Sequence, residues 1–283
     1  MNACVICLSL FLAAPADPPK ASAKAQERLQ SMHLEEAGKW QMYLDEGHKT
    51  KAELNQKPIY IWTNPTRSGG QHGSVFVWMY QGRPVIVGSI FSHPEDGRRL
   101  ICHEFHSLNN GVLHPEREGA AEKWEPKAAV KMEPLRGAPT PEGSAPRRLI
   151  QMRSLSREFT AHSIDYLKER WELRLLAQPL YRYEKPEGDV IDGALFSFVT
   201  SAGTDPEVIV ALEARKIEGG SAWFYRAIRF SDSNLYVQHS GKEVWTSIRD
   251  DQNQLHFNPD HTYRLIRDKF VDELLELVTQ EKK

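Results

Sequence analysis

The chain has 283 residues, of which 38 are Asp or Glu and 36 are Lys or Arg, giving a formal net charge of −2. That length supports one large or two small hydrophobic cores without metal or disulfide staples. The near balance of charge leaves no basic footprint for nucleic acid or an anionic membrane, and Arg147-Arg148 is too short to make one.

At the N-terminus an apolar run from Ala3 to Ala14 ends in Ala14-Pro15-Ala16, a small-x-small pattern that predicts a signal peptide over 1–16 and cleavage before Asp17. Export to the periplasm or the cell exterior follows. The alternative, a short apolar tail on a cytoplasmic protein, keeps the missing N-terminal positive charge in view. Cleavage would remove Cys4 and Cys7, leaving Cys102 alone and no intramolecular disulfide. No later apolar run is long enough to span a bilayer, so the mature chain, 17–283, is expected to be one soluble domain.

Ser22 is placed to cap a first helix whose apolar positions Leu29, Met32, Trp40, Tyr43 and Leu44 recur at helical spacing until Gly47. A short strand over Pro58–Trp62 precedes a glycine-rich loop. That loop lacks the Gly-Lys-Ser/Thr ending of a phosphate-binding loop and opens a strand rather than a helix. Then comes a meander: Gly73-Ser-Val-Phe-Val-Trp78, a Gln81-Gly82 turn, Pro84-Val-Ile-Val87, a longer reversal, and Leu100–Ser107. Both faces of its first strand are apolar, so both should be covered.

Residues 109–147 shift to proline, glycine and charge and read as a connector, with Trp124 and Met132 pinning it to the body. A middle helix is expected over Leu149–Leu167 through Met152, Leu155, Phe159 and Ile164. Strands follow at Glu172–Leu176 and Leu180–Tyr183, with Pro179 bending the chain between them.

The meander then repeats: Gly193-Ala-Leu-Phe-Ser-Phe198, Pro206-Glu-Val-Ile-Val210 and Trp223–Phe230. If this is duplication rather than the small alphabet of strands, Val85–Val87 should match Val208–Val210, Phe105 should match Ile228, and Glu104 and His106 should take the places of Ala227 and Arg229. A hairpin over 235–248 follows. Tyr263, Ile266, Phe270, Leu274 and Leu277 predict a last amphipathic helix.

Four phrases, Gln151-Met-Arg153, Leu173-Arg-Leu-Leu-Ala-Gln-Pro-Leu-Tyr-Arg-Tyr183, Asp192-Gly-Ala-Leu-Phe196 and Gly203-Thr-Asp-Pro-Glu-Val208, resemble a group of uncharacterised exported proteins of planctomycete-type bacteria. The resemblance runs from about Trp62 to Trp245. It implies export and a single architecture, and it implies no activity.

The fold expected from these elements is α+β. Its mostly antiparallel, pseudo-duplicated sheet is barrel-like or sandwiched and covered by N-terminal, middle and C-terminal helices.

Chemistry is sparse. In Cys102-His-Glu-Phe-His106, strand alternation sends Cys102, Glu104 and His106 one way and His103 the other, so the two histidines cannot chelate together; polar structural residues are favoured over a metal site. Glu213 and Arg215 interrupt an apolar strand, and a buried charge requires a partner, here Arg226 or Arg229 of the next strand. The functional alternative is a polar pocket of Glu104, His106, Glu213, Arg215 and Arg226, with a glutamate as base and an arginine holding an anion. Asp189, Asp192, Asp205 and Glu207 offer oxygen ligands for calcium but sit where turns demand such residues. The sequence therefore favours a non-catalytic exported protein that holds a partner or small ligand in or at the rim of its sheet, with no cofactor assigned. The alternative is an enzyme or cofactor protein of split-barrel type, an analogy of fold alone.

Overall fold

The computed structural model describes residues 23–119, 123–127, 131–184, 186–249, 258 and 260–271. In chain order the elements of its first part are α1 (Ala23–Gly38), β1 (Gln41–Tyr43), β2 (Lys51–Leu54), β3 (Tyr60–Asn64), β4 (Gln71–Tyr80), β5 (Arg83–Glu95), β6 (Arg98–Ser107), β7 (His114–Glu116) and β8 (Glu133–Pro134). The second part holds α2 (Ala145–Ser156), β9 (Phe159–Ile164), β10 (Arg170–Leu175), β11 (Tyr181–Glu184), β12 (Val190–Val199), β13 (Pro206–Ile217), β14 (Gly220–Arg229), β15 (Asn234–His239) and β16 (Lys242–Ser247). The last strand is β17 (Tyr263–Val271).

The helix-covered α+β expectation is corrected: the chain is mostly antiparallel β, 52% strand against 12% helix, in two curled half-barrel sheets with two helices among the described residues. Helical spacing misled the reading at three places. The first helix stops at Gly38, and Met42 enters β1 instead. The middle helix stops at Ser156; from Phe159 every second residue is buried, Phe159, Ala161 and Ser163, which is the period of a strand. The expected C-terminal helix is the strand β17, paired with β6. A bulge between Arg267 and Lys269 shifts its alternation by one residue, so Ile266 packs beneath α1 while Phe270 meets the opposite layer. That extra residue imitates helical spacing. Leu274 and Leu277 lie outside the described residues, as do Ser22 and the whole of 1–16.

The two sheets share one plan. The first runs β17-β6-β5-β4-β2-β1-β7 with β3 also on β4; the second runs β8-β14-β13-β12-β10-β9-β15-β16 with β11 also on β12. The matching extends to register. Gly73 faces Trp62 and Gly193 faces Tyr183, and a one-residue shift follows Trp78 and Phe198 alike. Cross-strand partners superpose Pro84 on Pro206 and Ile86 on Val208, one residue from the expected match of Val85 with Val208. They place Phe105 on Ala227, Glu104 on Arg226 and His106 on Ile228. The prolines were the true markers, and the valine runs beside them misaligned the copies.

Three apolar layers result. Leu29 and Ala37 of α1 pack on Phe76, Trp78 and Phe105 of the first sheet; Met152 and Leu155 of α2 pack on Phe196, Phe198 and Val210 of the second. The other face of each sheet lies in a shared layer of Val75, Val77, Val87, Leu195, Ile209 and Ile228. Both faces of β4 and β12 are thus dry, which accounts for their unbroken apolar runs. Trp124 anchors the connector, buried and donating from Nε1 to the His261 carbonyl at 2.8 Å.

Candidate functional site

The polar side chains singled out from the sequence divide between separate hydrogen-bond partners, Glu213 with Tyr183, Arg83 and Arg215, and Glu104 with Tyr263. They fall at two poles of the shared layer whose charges are opposite. Arg226 occupies the place in the second sheet that Glu104 occupies in the first, and the residue before the marker proline is Arg83 in one copy and Asp205 in the other.

At the basic pole, Glu213 is held from three sides. Gly193 lacks the Cβ that would come 2.4 Å from the Tyr183 ring. The ring fills that space, and its hydroxyl donates to Glu213 Oε1 at 2.7 Å. Arg83 Nε donates to Oε1 at 2.8 Å, and Arg215 donates to Oε2 from Nε at 2.8 Å and from its terminal nitrogen at 2.5 Å. Burial pushes the carboxyl up, but Arg83 and then Arg215 outweigh it, so Glu213 stays below its ordinary pKa and ionised. The partners expected for Glu213, Arg226 or Arg229, are replaced by Arg83 of the other sheet and Arg215 of its own strand. Sequence spacing along one hairpin could not reach Arg83, which is 130 residues away.

Arg226 instead donates to the Leu108 carbonyl at 3.2 Å and reaches Asn110 Oδ1 at 3.5 Å, and its buried Nε has no hydrogen bond among the described residues. Burial, then repulsion from Arg83, lowers its pKa to about 10. Arg229 donates to the carbonyls of Ser231 and Ser233 at 2.7 and 2.6 Å, and to the Ser247 hydroxyl and carbonyl.

At the acidic pole, Tyr263 donates its hydroxyl to Glu104 Oε1 at 2.6 Å. Burial, reinforced by the charges of Asp232, Glu207 and Asp205, raises Glu104 to about 8. Arg67 lies 2.9 Å from Asp205 and 2.7 Å from Glu207, and burial raises both of those carboxyls. His106 is held neutral by burial and by the charges of Arg226 and Arg229, which outweigh a backbone hydrogen bond with Arg229 and lower its pKa to about 3. Cys102 packs in the shared apolar layer, its thiol raised to about 12 by burial, far from the thiolate that metal binding or nucleophilic attack needs.

The four candidate calcium ligands are separated by their partners. Asp192 is taken by Arg148 and Arg182, Asp205 and Glu207 by Arg67, and Asp189 is exposed, 3.5 Å from Arg215.

Sequence reading missed a third cluster, beneath α1. Glu36, His103 and Asp268 bring ligand atoms within 4.8 Å of one another. The bulge in β17 aims Asp268 there, a displacement no sequence period announces. The cluster is already filled by cations: Arg117 donates to Asp268 at 2.8 and 2.7 Å and to Glu36 at 3.2 Å, and Lys39 and Lys269 also reach Glu36, at 2.8 and 2.6 Å. The Trp40 indole, which can only donate, gives its N–H to His103 Nδ1 at 2.9 Å. The proton of neutral His103 therefore sits on Nε2, the nitrogen nearest the carboxylates. A metal-bound histidine needs the reverse arrangement. The cluster is an ion-pair network that ties β17 to α1.

Beside it opens a cleft of about 710 Å³, lined among others by Trp40, His48, His114, Glu116, Arg117 and Glu125. It lies at the β7 edge of the first sheet. The corresponding edge of the second sheet, β15, is covered by β16. Tyr43 stacks on His48 at 4.5 Å, whereas in the second sheet the residues that match Tyr43 and His114 in the register, His162 and Tyr236, stack on each other. The cleft is thus a departure from the shared plan. Compared with protein-family models, curated proteins and solved structures, the chain matches none.

Proposed function

We propose that this chain is an exported, non-catalytic binding protein whose small ligand occupies the cleft at the rim of the first sheet. The observation that carries the reading is a contrast in commitment. The buried glutamates are enclosed by their own partners, while the cleft, at a size typical of small-ligand sites, is open to solvent. Its Arg117 is spent on Asp268 and Glu36, which leaves Glu116, Glu118 and Glu125 against the single cation Lys123 in the lining and favours a cationic or polar ligand. The enzyme alternative would need substrate to reach Glu104 or Glu213, and neither residue lines the cleft. Export rests on the Ala14-Pro15-Ala16 pattern and requires that protein from the native host begin at Asp17 by mass spectrometry. Among the described residues no helix is long and apolar enough to cross a membrane.

The test is thermal unfolding against a panel of small polar amines and zwitterions in the presence of a chelator. A ligand at a hundred-fold excess over its Kd should raise Tm by about 5 °C or more. That rise should disappear in Glu116→Ala and persist in Glu213→Gln. A ligand lost only with Glu213→Gln moves the site to the basic pole and overturns the cleft.

A further inference from the structure

Two histidines and two glutamates converge on the cleft from three separate segments. His48 follows β1 and is held by its stack on Tyr43, with ring planes 7° apart. His114 opens β7, directly opposite Tyr43 in the strand register, and its ring centre is 6.0 Å from that of His48. His48 Nδ1 is 3.4 Å from Glu116 Oε1, and His114 Nδ1 is 3.9 Å from Glu125 Oε1. From these juxtapositions we infer that the cleft binds one divalent transition-metal ion through His48, His114, Glu116 and Glu125.

The two pair spacings approach those of such an ion, and the pairs must draw together to share it, since no three of the four residues bring ligand atoms within 4.8 Å of one another. Ligand atoms each about 2.1 Å from a tetrahedral centre lie roughly 3.4 Å from one another, and two imidazoles on that centre have ring centres about 5 Å apart. His48 and Glu116 already have the first spacing. Closing the second takes about 1 Å, a movement that falls to His48, 38% exposed and stacked on Tyr43, because the His114 side chain is only 15% exposed. A set of two imidazoles and two carboxylates favours zinc, copper or nickel over magnesium or calcium, which prefer all-oxygen shells. The competing cation at the site is Lys123, which lies 2.8 Å from Glu125 while 74% exposed. A lysine so solvated holds its partner weakly and leaves at little cost. The adjacent Arg117 is fixed by its own carboxylates and does not block entry. Glu36, His103 and Asp268 are closer together but already contain Arg117 and carry the wrong tautomer, so the cleft is the better metal site despite its looser geometry.

This inference rests on the reading of the cleft as the binding site, and it names the ligand class. The full-length mature chain, without an affinity tag, is titrated with zinc by calorimetry and with cobalt by visible absorption. The expected result is one ion per chain, with the intense visible band of tetrahedral cobalt. Affinity should fall by about tenfold or more in His48→Ala and in His114→Ala, should be unchanged in His162→Ala of the second sheet, and should be unaffected by excess magnesium. Melting curves of each variant establish that it is folded, and His48→Gln serves as a second substitution that keeps the ring's volume more closely. Failure of both zinc and cobalt to bind, or zinc binding that survives both cleft substitutions, overturns the metal inference. The chelator-containing thermal panel still decides the broader cleft reading, so the two can fail separately.

Discussion

Glu104 shows how one buried group can set the pH response of the molecule. Its pKa is raised to about 8 in the folded chain, so between its unfolded value and 8 the folded state holds a proton that the unfolded state has released. Stability contributed by that proton is complete below the unfolded pKa and is lost as pH rises through 8. His106 and His33 act in the opposite sense. Both are held neutral with values near 3, so their contribution is present above about 6.5 and disappears as pH falls through 3. Above about pH 6.5 the histidine terms are flat, and the carboxyls of Asp205 and Glu207, also raised by burial, act in the same sense as Glu104. Denaturant unfolding should therefore show wild-type stability falling between pH 6.5 and 8 with a slope of up to about 1.4 kcal/mol per pH unit. Glu104→Gln, which keeps an acceptor for Tyr263, should flatten that slope. Parallel curves for the two proteins would mean that Glu104 ionises freely and that the acidic pole is wetter than its burial indicates.

At the scale of elements, a glycine facing an aromatic ring recurs in both sheets: Gly73 with Trp62, and Gly193 with Tyr183. An added Cβ at Gly193 would lie 2.4 Å from the ring and must push it off the strand, pulling the Tyr183 hydroxyl from Glu213. Gly193→Ala should cost about 1–3 kcal/mol, the usual range for overpacking, with some further loss from the broken hydrogen bond. Gly143→Ala, where a Cβ meets nothing within 4 Å, provides the control. Equal melting temperatures for the two variants would show that the ring moves aside freely. The same pairing was visible in the sequence only as a repeated glycine opening an apolar run; its reason, a ring from the neighbouring strand, needs the third dimension.

For the molecule as a whole, the shared layer makes the two sheets interdependent. Arg83 of the first sheet neutralises Glu213 of the second, and Asp205 of the second receives Asn64 and Arg67 of the first. Separating the sheets would strand charges at both poles, a loss added to that of the apolar layer between them. We therefore expect a single cooperative unfolding transition. Phe196→Ala, in the core under α2, should destabilise by about 3–5 kcal/mol and shift the hydrogen-exchange protection of β4 and β5 together with that of β12 and β13. If protection in β4 and β5 stayed at the wild-type level, the sheets would be independent domains.

The sequence by itself determined the antiparallel meanders, the turns and the repeat, because glycine, proline and alternating apolar residues act locally and leave their period in the chain. It also marked Glu213 as a buried charge in need of a partner, since a charge flanked by apolar strand residues has nowhere else to go, and Glu213 is 1% exposed while Arg215 beside it is only partly buried. Tertiary structure decided the rest. Tyr263–Val271 became a strand because β6 offered a free edge and a bulge absorbed the odd spacing; Glu213 found Arg83 because two sheets with the same plan face each other; and the cleft exists because β7, unlike β15, has no strand beyond it among the described residues. These outcomes depend on which surfaces meet across more than a hundred residues of chain, and a local period carries no record of them.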